Sequence, residues 1–148
     1  MKLSLKTLAV AISVPVLLTA CVSNGEEAQM ITSQDLQHHN WELVKIDGKD
    51  IVKGENNKPI RLEIGENMSA NGHAGCNNFF GQAELNDDQF RIEKMGMTMK
   101  MCGEEEMNTE MAMSQVLTNW SDITLTKDSL VLQNDVHTLT FTLRDWVN

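Results

Sequence analysis

Sulfur offers the most chemistry in this chain. Ten of its 148 residues are methionine, and four of those alternate: Met95, Met97, Met99 and Met101. On a regular strand alternate residues share a face, with Cα atoms roughly 6–7 Å apart, so four thioethers would form a row. Thioethers are soft ligands suited to Cu(I), which makes a metal site of these four one reading. Flexible methionines also fill irregular apolar interiors, and a core row is the first expectation. Cys76 and Cys102 can form a disulfide, stay as buried thiols, or pair with His73, three residues before Cys76, as a nucleophilic site. No acid that would orient His73 is evident. His38-His39 could begin a metal site, but no third ligand follows nearby, and a solvated pair is expected. Glu104-Glu105-Glu106 would point in different directions on a helix, a poor cage for a hard cation. No Gly-x-Ser-x-Gly, phosphate loop, His-Glu-x-x-His or Cys-x-x-Cys is present, and Asp87-Asp88 fall in a turn. The residues predict no enzyme, no catalytic group and no cofactor.

The third cysteine has a different setting. Lys2 and Lys6 precede an uncharged run from Thr7 to Leu18, which ends Leu18-Thr19-Ala20-Cys21. The run is shorter than the ~20 residues of a membrane-spanning helix, fits the apolar part of a signal peptide, and contains Pro15, which argues against one stable helix. Branched apolar, small, small, Cys is the pattern of a bacterial lipobox, in which Cys21 is acylated and becomes the first mature residue. One acyl chain holds only marginally, and bacterial lipoproteins carry three. Val22, not Asp, follows the cysteine, which points to the periplasm-facing side of the outer membrane of a Gram-negative bacterium. Cleavage before Cys21 removes Lys2 and Lys6 and no acid, so the net charge of −9 becomes −11. So acidic a chain should avoid nucleic acid and anionic head groups.

The elements that must position these groups follow from patterning. Residues 21–40 are polar without sustained periodicity and read as a flexible tether after the signal peptide 1–20; residues 41–148 suffice for one domain. Trp41-Glu42-Leu43-Val44-Lys45-Ile46 ends in the turn pair Asp47-Gly48. Ile60, Leu62 and Ile64, then Phe90 and Ile92, then Ile123 and Leu125, then Leu139, Phe141 and Leu143, each alternate with polar residues. Leu130-Val131-Leu132 lies between two turns. Such alternation gives strands with one buried and one wet face, and its repetition predicts an antiparallel barrel or sandwich. One segment breaks the pattern: Met113, Val116, Leu117 and Trp120 recur at helical spacing. Glu104-Glu105-Glu106 ahead of them suit the positive end of a helix dipole, so a helix is predicted over 104–119.

Gly75-Cys76-Asn77-x-Phe79-x-Gly81, then Thr98-x-x-x-Cys102 and a Glu-rich helix, resembles the META-domain family, whose bacterial members include the HslJ-type heat-shock proteins. Trp41-Glu42-Leu43 and His137-Thr138-Leu139-Thr140 extend the likeness over most of the domain. Where the family often has Arg or Lys after the Thr and Met two before the Cys, this chain has Met99 and Lys100. The resemblance implies a mainly β (α+β) fold, an antiparallel, partly closed β-barrel with one packed α-helix. It further implies an envelope protein linked to heat shock and novobiocin tolerance, with no catalytic mechanism. With Cys21 lipidated, Cys76 and Cys102 are an even pair in an oxidising compartment, where a disulfide is the leading expectation. The whole reads as a monomeric, membrane-anchored binding protein for an envelope protein or an apolar ligand in the barrel mouth. A Cu(I)-binding lipoprotein is the alternative.

Overall fold

The structure, a computed structural model, describes residues 30–52 and 58–145. The signal-peptide and lipobox expectations, Cys21 included, lie outside those residues. Among the described residues nine strands form: β1 (His39–Ile46), β2 (Lys49–Asp50), β3 (Arg61–Ile64), β4 (Ser69–His73), β5 (Asn78–Asn86), β6 (Gln89–Met97), β7 (Ser121–Leu125), β8 (Ser129–Gln133) and β9 (Thr138–Leu143), of which β1, β3, β6, β7, β8 and β9 lie on the expected segments. Each pairs antiparallel with its neighbour in the order β1-β3-β4-β5-β6-β7-β8-β9, and β9 returns to β1. Eight strands therefore close a barrel, with β2 a short arm on β1. The antiparallel barrel with one packed helix is as expected. The ring is complete, because β9 runs along β1 from Trp41↔Leu143 to Ile46↔Leu139, across an irregularity between Leu43 and Lys45.

Inward residues of the alternating strands make the core: Trp41, Leu43, Leu62, Ile64, Phe90, Ile92, Leu130, Leu132, Leu139 and Phe141 are all almost wholly buried. Each such side chain contributes about 1.5–3 kcal/mol on leaving water. Up-and-down order sorts the connections to two ends. The near end holds the start of β1, the end of β9, and the β3–β4, β5–β6 and β7–β8 turns. The far end holds the β1–β3, β4–β5, β6–β7 and β8–β9 connections.

Helix α2 (Glu104–Leu117) lies in the β6–β7 connection at the far end. The ladder between β6 and β7 is short, only Gln89↔Asp122 and Phe90↔Ser121. The helix buries Ala112, Met113, Val116 and Leu117, and Ser121 Oγ donates to the Val116 carbonyl at 2.9 Å. Its three glutamates occupy the first turn as the dipole argument requires. The helix stops two residues short of the predicted 119, so Trp120 leaves the buried stripe. Trp120 instead lies under the Arg91 guanidinium, whose carbon is 4.5 Å from the ring centre.

Two expectations are corrected. The stretch read as tether, 21–40, is folded in its second half. Helix α1 (Ser33–Leu36) buries Leu36 completely, with the Asp35 carboxylate accepting from Thr32 N (2.8 Å) and Oγ1 (2.6 Å). A single buried leucine in a polar stretch has no period to betray it. The His38-His39 pair also divides. His38 is exposed, while His39 opens β1, its ring 2.7 Å from the Asp145 carboxylate and edge-on to Trp41.

At the far end Asp47 closes β1 onto the β8–β9 turn. Its carboxylate accepts from Thr138 N at 2.8 Å and lies 2.8 Å from His137 Nδ1. The Thr138 N–H first, and His137 second, hold Asp47 below its ordinary value of 3.8. A lowered carboxyl stabilises the fold above its unfolded value, and that contribution is lost as pH falls through the folded value. Asp47→Asn should therefore flatten the fall of stability below pH 3.8, measured as the urea midpoint against pH. A fall as steep as in the parent would remove Asp47 from the account.

Candidate functional site

The Gly-Cys-Asn segment forms the β4–β5 connection, where the chain must reverse in a few residues against the side of α2. Gly75 has φ +120°, and a Cβ there would stand 2.8 Å from the Glu106 carbonyl oxygen. Only glycine fits both the backbone and the close approach. Cys76 and Cys102 are joined as a disulfide, with Cα atoms 5.7 Å apart. The bond ties the β4–β5 connection to the stretch that leads from β6 into α2.

Asn77 makes a second tie at the same place. It is 2% exposed, and all four hydrogen-bonding positions of its side chain are filled. Nδ2 donates to Glu110 Oε1 (3.0 Å) and to the Lys100 carbonyl (3.1 Å). Oδ1 accepts from Lys100 N (2.7 Å) and Thr98 Oγ1 (2.9 Å). Asn77 N donates to Glu110 Oε2 at 2.6 Å, and its carbonyl accepts from Ala74 N. Thr98 Oγ1 also accepts from Asn78 N at 3.1 Å. Helix, hairpin and irregular strand end thus meet on one amide. Lys100 takes part through its backbone, so this role does not depend on the side chain at that position.

The four methionines do not share one face. Met95 and Met97 pack against the core, and Ser114 Oγ lies 3.4 Å from Met97 Sδ. Met99 and Met101 are 96% and 89% exposed. Two irregularities separate them. β6 bulges around Lys94 (φ +51°), where the register against β5 shifts between Phe80 and Gln82. β6 then ends at Met97, and Asn77 leads the chain off the sheet. The chain thus leaves the strand before Met99, and the methionine row ends with Met97. Among the described residues no group of three or more His, Cys, Asp and Glu side chains could hold a metal ion.

A cavity of about 180 Å³ opens beside the disulfide, between Val52, Lys58, Ile60, His73, Lys100 and Glu106. His73 does face the disulfide region. It is 6% exposed, and burial first, then Lys58 and Lys100, push its imidazole below the ordinary range; Glu110 opposes this and Arg61 adds to it. No carboxylate hydrogen-bonds it among the described residues, and the cysteine it would activate is oxidised. A second cavity, about 440 Å³, lies in the near-end mouth between α1, the start of β1 and the β7–β8 turn. Trp41, Leu125, Leu143 and Ile31 give it apolar wall, and Gln34, His39 and Lys127 a polar rim. The Trp41 indole N–H is buried without an acceptor among the described residues.

Residues 34–146 match the META domain family. The chain belongs to the META-domain family. It is 30% identical over 145 residues to Heat shock protein HslJ of Escherichia coli strain K12, covering 97% of this chain and 100% of HslJ. One solved NMR structure superposes with a TM-score of 0.70 at 29% identity, covering 80% of this chain and 100% of that one. Another, of a protein from Burkholderia xenovorans, gives 0.64 at 22% identity over 77% and 87%, and supports the fold. In this META domain the motif residues act together as structure. Gly75 permits the approach to α2, Cys76 and Cys102 bond, and Asn77 and Thr98 hold the strand end. Phe79 is buried in the core, and Gly81 faces the β6 bulge. Glu110, which completes the lock, carried no sequence signal beyond its place on an acidic helix.

Proposed function

We propose that this META-domain protein is a lipid-anchored envelope protein that contributes to stress tolerance, against heat and novobiocin, by binding rather than by catalysis. The observation that carries the reading is the near-end mouth cavity. It has room for an apolar group, a polar rim, and in Trp41 a buried donor that an acceptor on the bound molecule would satisfy. The chain enters the barrel at this end, through Ile31 and α1. An anchor at Cys21 would therefore hold the mouth toward the membrane surface, on the periplasmic side of the outer membrane. The Cys76–Cys102 disulfide suits that oxidising compartment.

Two measurements test the two halves. Cys21→Ser should abolish incorporation of labelled palmitate and move the protein from the membrane to the soluble fraction; retention of label would end the lipoprotein reading. Titration of the purified Cys21→Ser chain with a fluorescent medium-chain fatty acid should saturate. Leu143→Gln in the mouth should weaken binding by about tenfold, the scale of one buried apolar side chain. Binding that is absent, or indifferent to Leu143, would leave a protein partner as the occupant. Co-purification from crosslinked cells would then identify it.

A further inference from the structure

The two methionines that leave the expected row have the surroundings of a reaction site that needs no pocket. Met99 and Met101 are 96% and 89% exposed, ahead of Met30 and Met111 and of every other large apolar side chain among the described residues. Their backbone is nevertheless fixed. Between them, Lys100 N donates to Asn77 Oδ1 and the Lys100 carbonyl accepts from Asn77 Nδ2, and Cys102 follows in the disulfide. Neither thioether takes part in those ties, so a change at the sulfur leaves them intact. Elsewhere the same atom is sheltered. Met113 is 0% exposed and Met68 8%, and Met97 packs against the core. A polar sulfoxide at such places would disrupt the packing.

Thioethers are also the soft nucleophiles that this surface still offers. Cys76 and Cys102 are bonded to each other, and the sequence has no tyrosine. For a small oxidant, access to the sulfur governs where reaction falls, and no binding site is required.

We propose that Met99 and Met101 form a renewable trap for hypohalous acids, a function separate from binding in the mouth cavity. The sulfur lone pair takes the chlorine of hypochlorous acid as the O–Cl bond breaks and hydroxide leaves. Water then adds to the chlorosulfonium sulfur, chloride departs, and both protons of that water are lost, one of them to the hydroxide. Each thioether is thereby oxidised by two electrons to a sulfoxide, and the chlorine is reduced to chloride with net release of one proton. A methionine sulfoxide reductase, one enzyme for each epimer, reverses the change with two electrons from a dithiol, and the oxygen leaves as water. The exposure that admits the oxidant admits that enzyme too.

Dosing the full chain with hypochlorous acid, followed by peptide mass spectrometry, tests the site. Met99 and Met101 should gain oxygen at least ~tenfold faster than Met68 and Met113, following exposure. The urea midpoint should stay in place at the dose that converts both. Sulfoxide reductases of both epimer specificities, with thioredoxin as reductant, should restore both residues in the folded chain. Met99→Leu with Met101→Leu alters two exposed side chains outside every helix and strand, so the variant should fold. In it, the dose at which Met113 oxidises and the midpoint falls should drop by about two equivalents per chain, one for each missing thioether. Equal rates at exposed and buried methionines, a midpoint already lowered at the converting dose, failed repair, or an unchanged dose in the double variant would overturn the proposal.

Discussion

Asn77→Ala should be among the most damaging polar substitutions in this protein, costing about 3–5 kcal/mol of unfolding free energy. The size follows from the number of partners stranded. The alanine removes two donors and two acceptor positions at once, and three of the four bonds they make go to Glu110 on the helix and to the Lys100 backbone ahead of it. A neutral hydrogen bond contributes about 0.5–1.5 kcal/mol and one to a charged group about 1.5–3, with a further penalty where a buried partner is left unpaired. Asn78, the next residue, is the control. It is exposed, and among the described residues its side chain bonds only Lys58, at 3.3 Å, so Asn78→Ala should stay within about 0.5 kcal/mol. Asn77→Asp separates shape from chemistry. It keeps the size of the side chain but turns the donor that Glu110 accepts into a second carboxylate. Its penalty should shrink as pH falls and one of the two acids takes up a proton. Urea midpoints at neutral and acid pH measure all three. An Asn77→Ala cost below about 1 kcal/mol would mean that water replaces the lock without loss.

The contrast between Asn77 and the strands around it shows what a sequence exposes. Strands with large inward residues announce themselves: Leu139, Phe141 and Leu143 alternate with threonine, and β9 is where they say it is. The helix stripe of Met113, Val116 and Leu117 is legible for the same reason. β4 gives no such signal, because Ser-Ala-Asn-Gly-His has no apolar rhythm. Its inward residue Gly72 is small by necessity. A Cβ there would lie 2.0 Å from the Arg61 carbonyl and 2.5 Å from Phe79 Cζ, so the aromatic ring of the next strand fills the space that a side chain would take. β5 hides its rhythm likewise, with Gly81 and Ala83 at inward positions between Phe79 and Leu85. Close packing against a large neighbour erases the very pattern that sequence reading uses. The cysteine pairing could be expected from count and compartment. Glu110 could not, since its role exists only once the β4–β5 connection is folded against α2.

Replacing Cys76 and Cys102 together by alanine should lower stability by about 3–4 kcal/mol, the chain-entropy value for cysteines 26 residues apart. The native geometry should barely change, because Asn77 holds Thr98 and Lys100 beside the same connection without help from the bond. The loss then belongs mainly to the unfolded state, which becomes more expanded. The urea m-value should rise along with the fall in midpoint. That independence ends when Asn77 is also replaced. Beyond the bonds between Thr98 and Asn78 at the strand end, the disulfide and the Asn77 amide both tie the β4–β5 connection to the stretch that follows β6 among the described residues. Each should hold it in register when the other is removed. Removing both should cost more than the sum of the separate losses, by the roughly 0.5–3 kcal/mol typical of residues that share partners. The detachment has a direct reading as well. Lys100 stands between exposed Met99 and Met101, and trypsin should cut there in the triple variant under conditions where each parent variant survives. Additivity within about 0.5 kcal/mol, with no new cleavage, would show that the two ties act on separate parts of the barrel end.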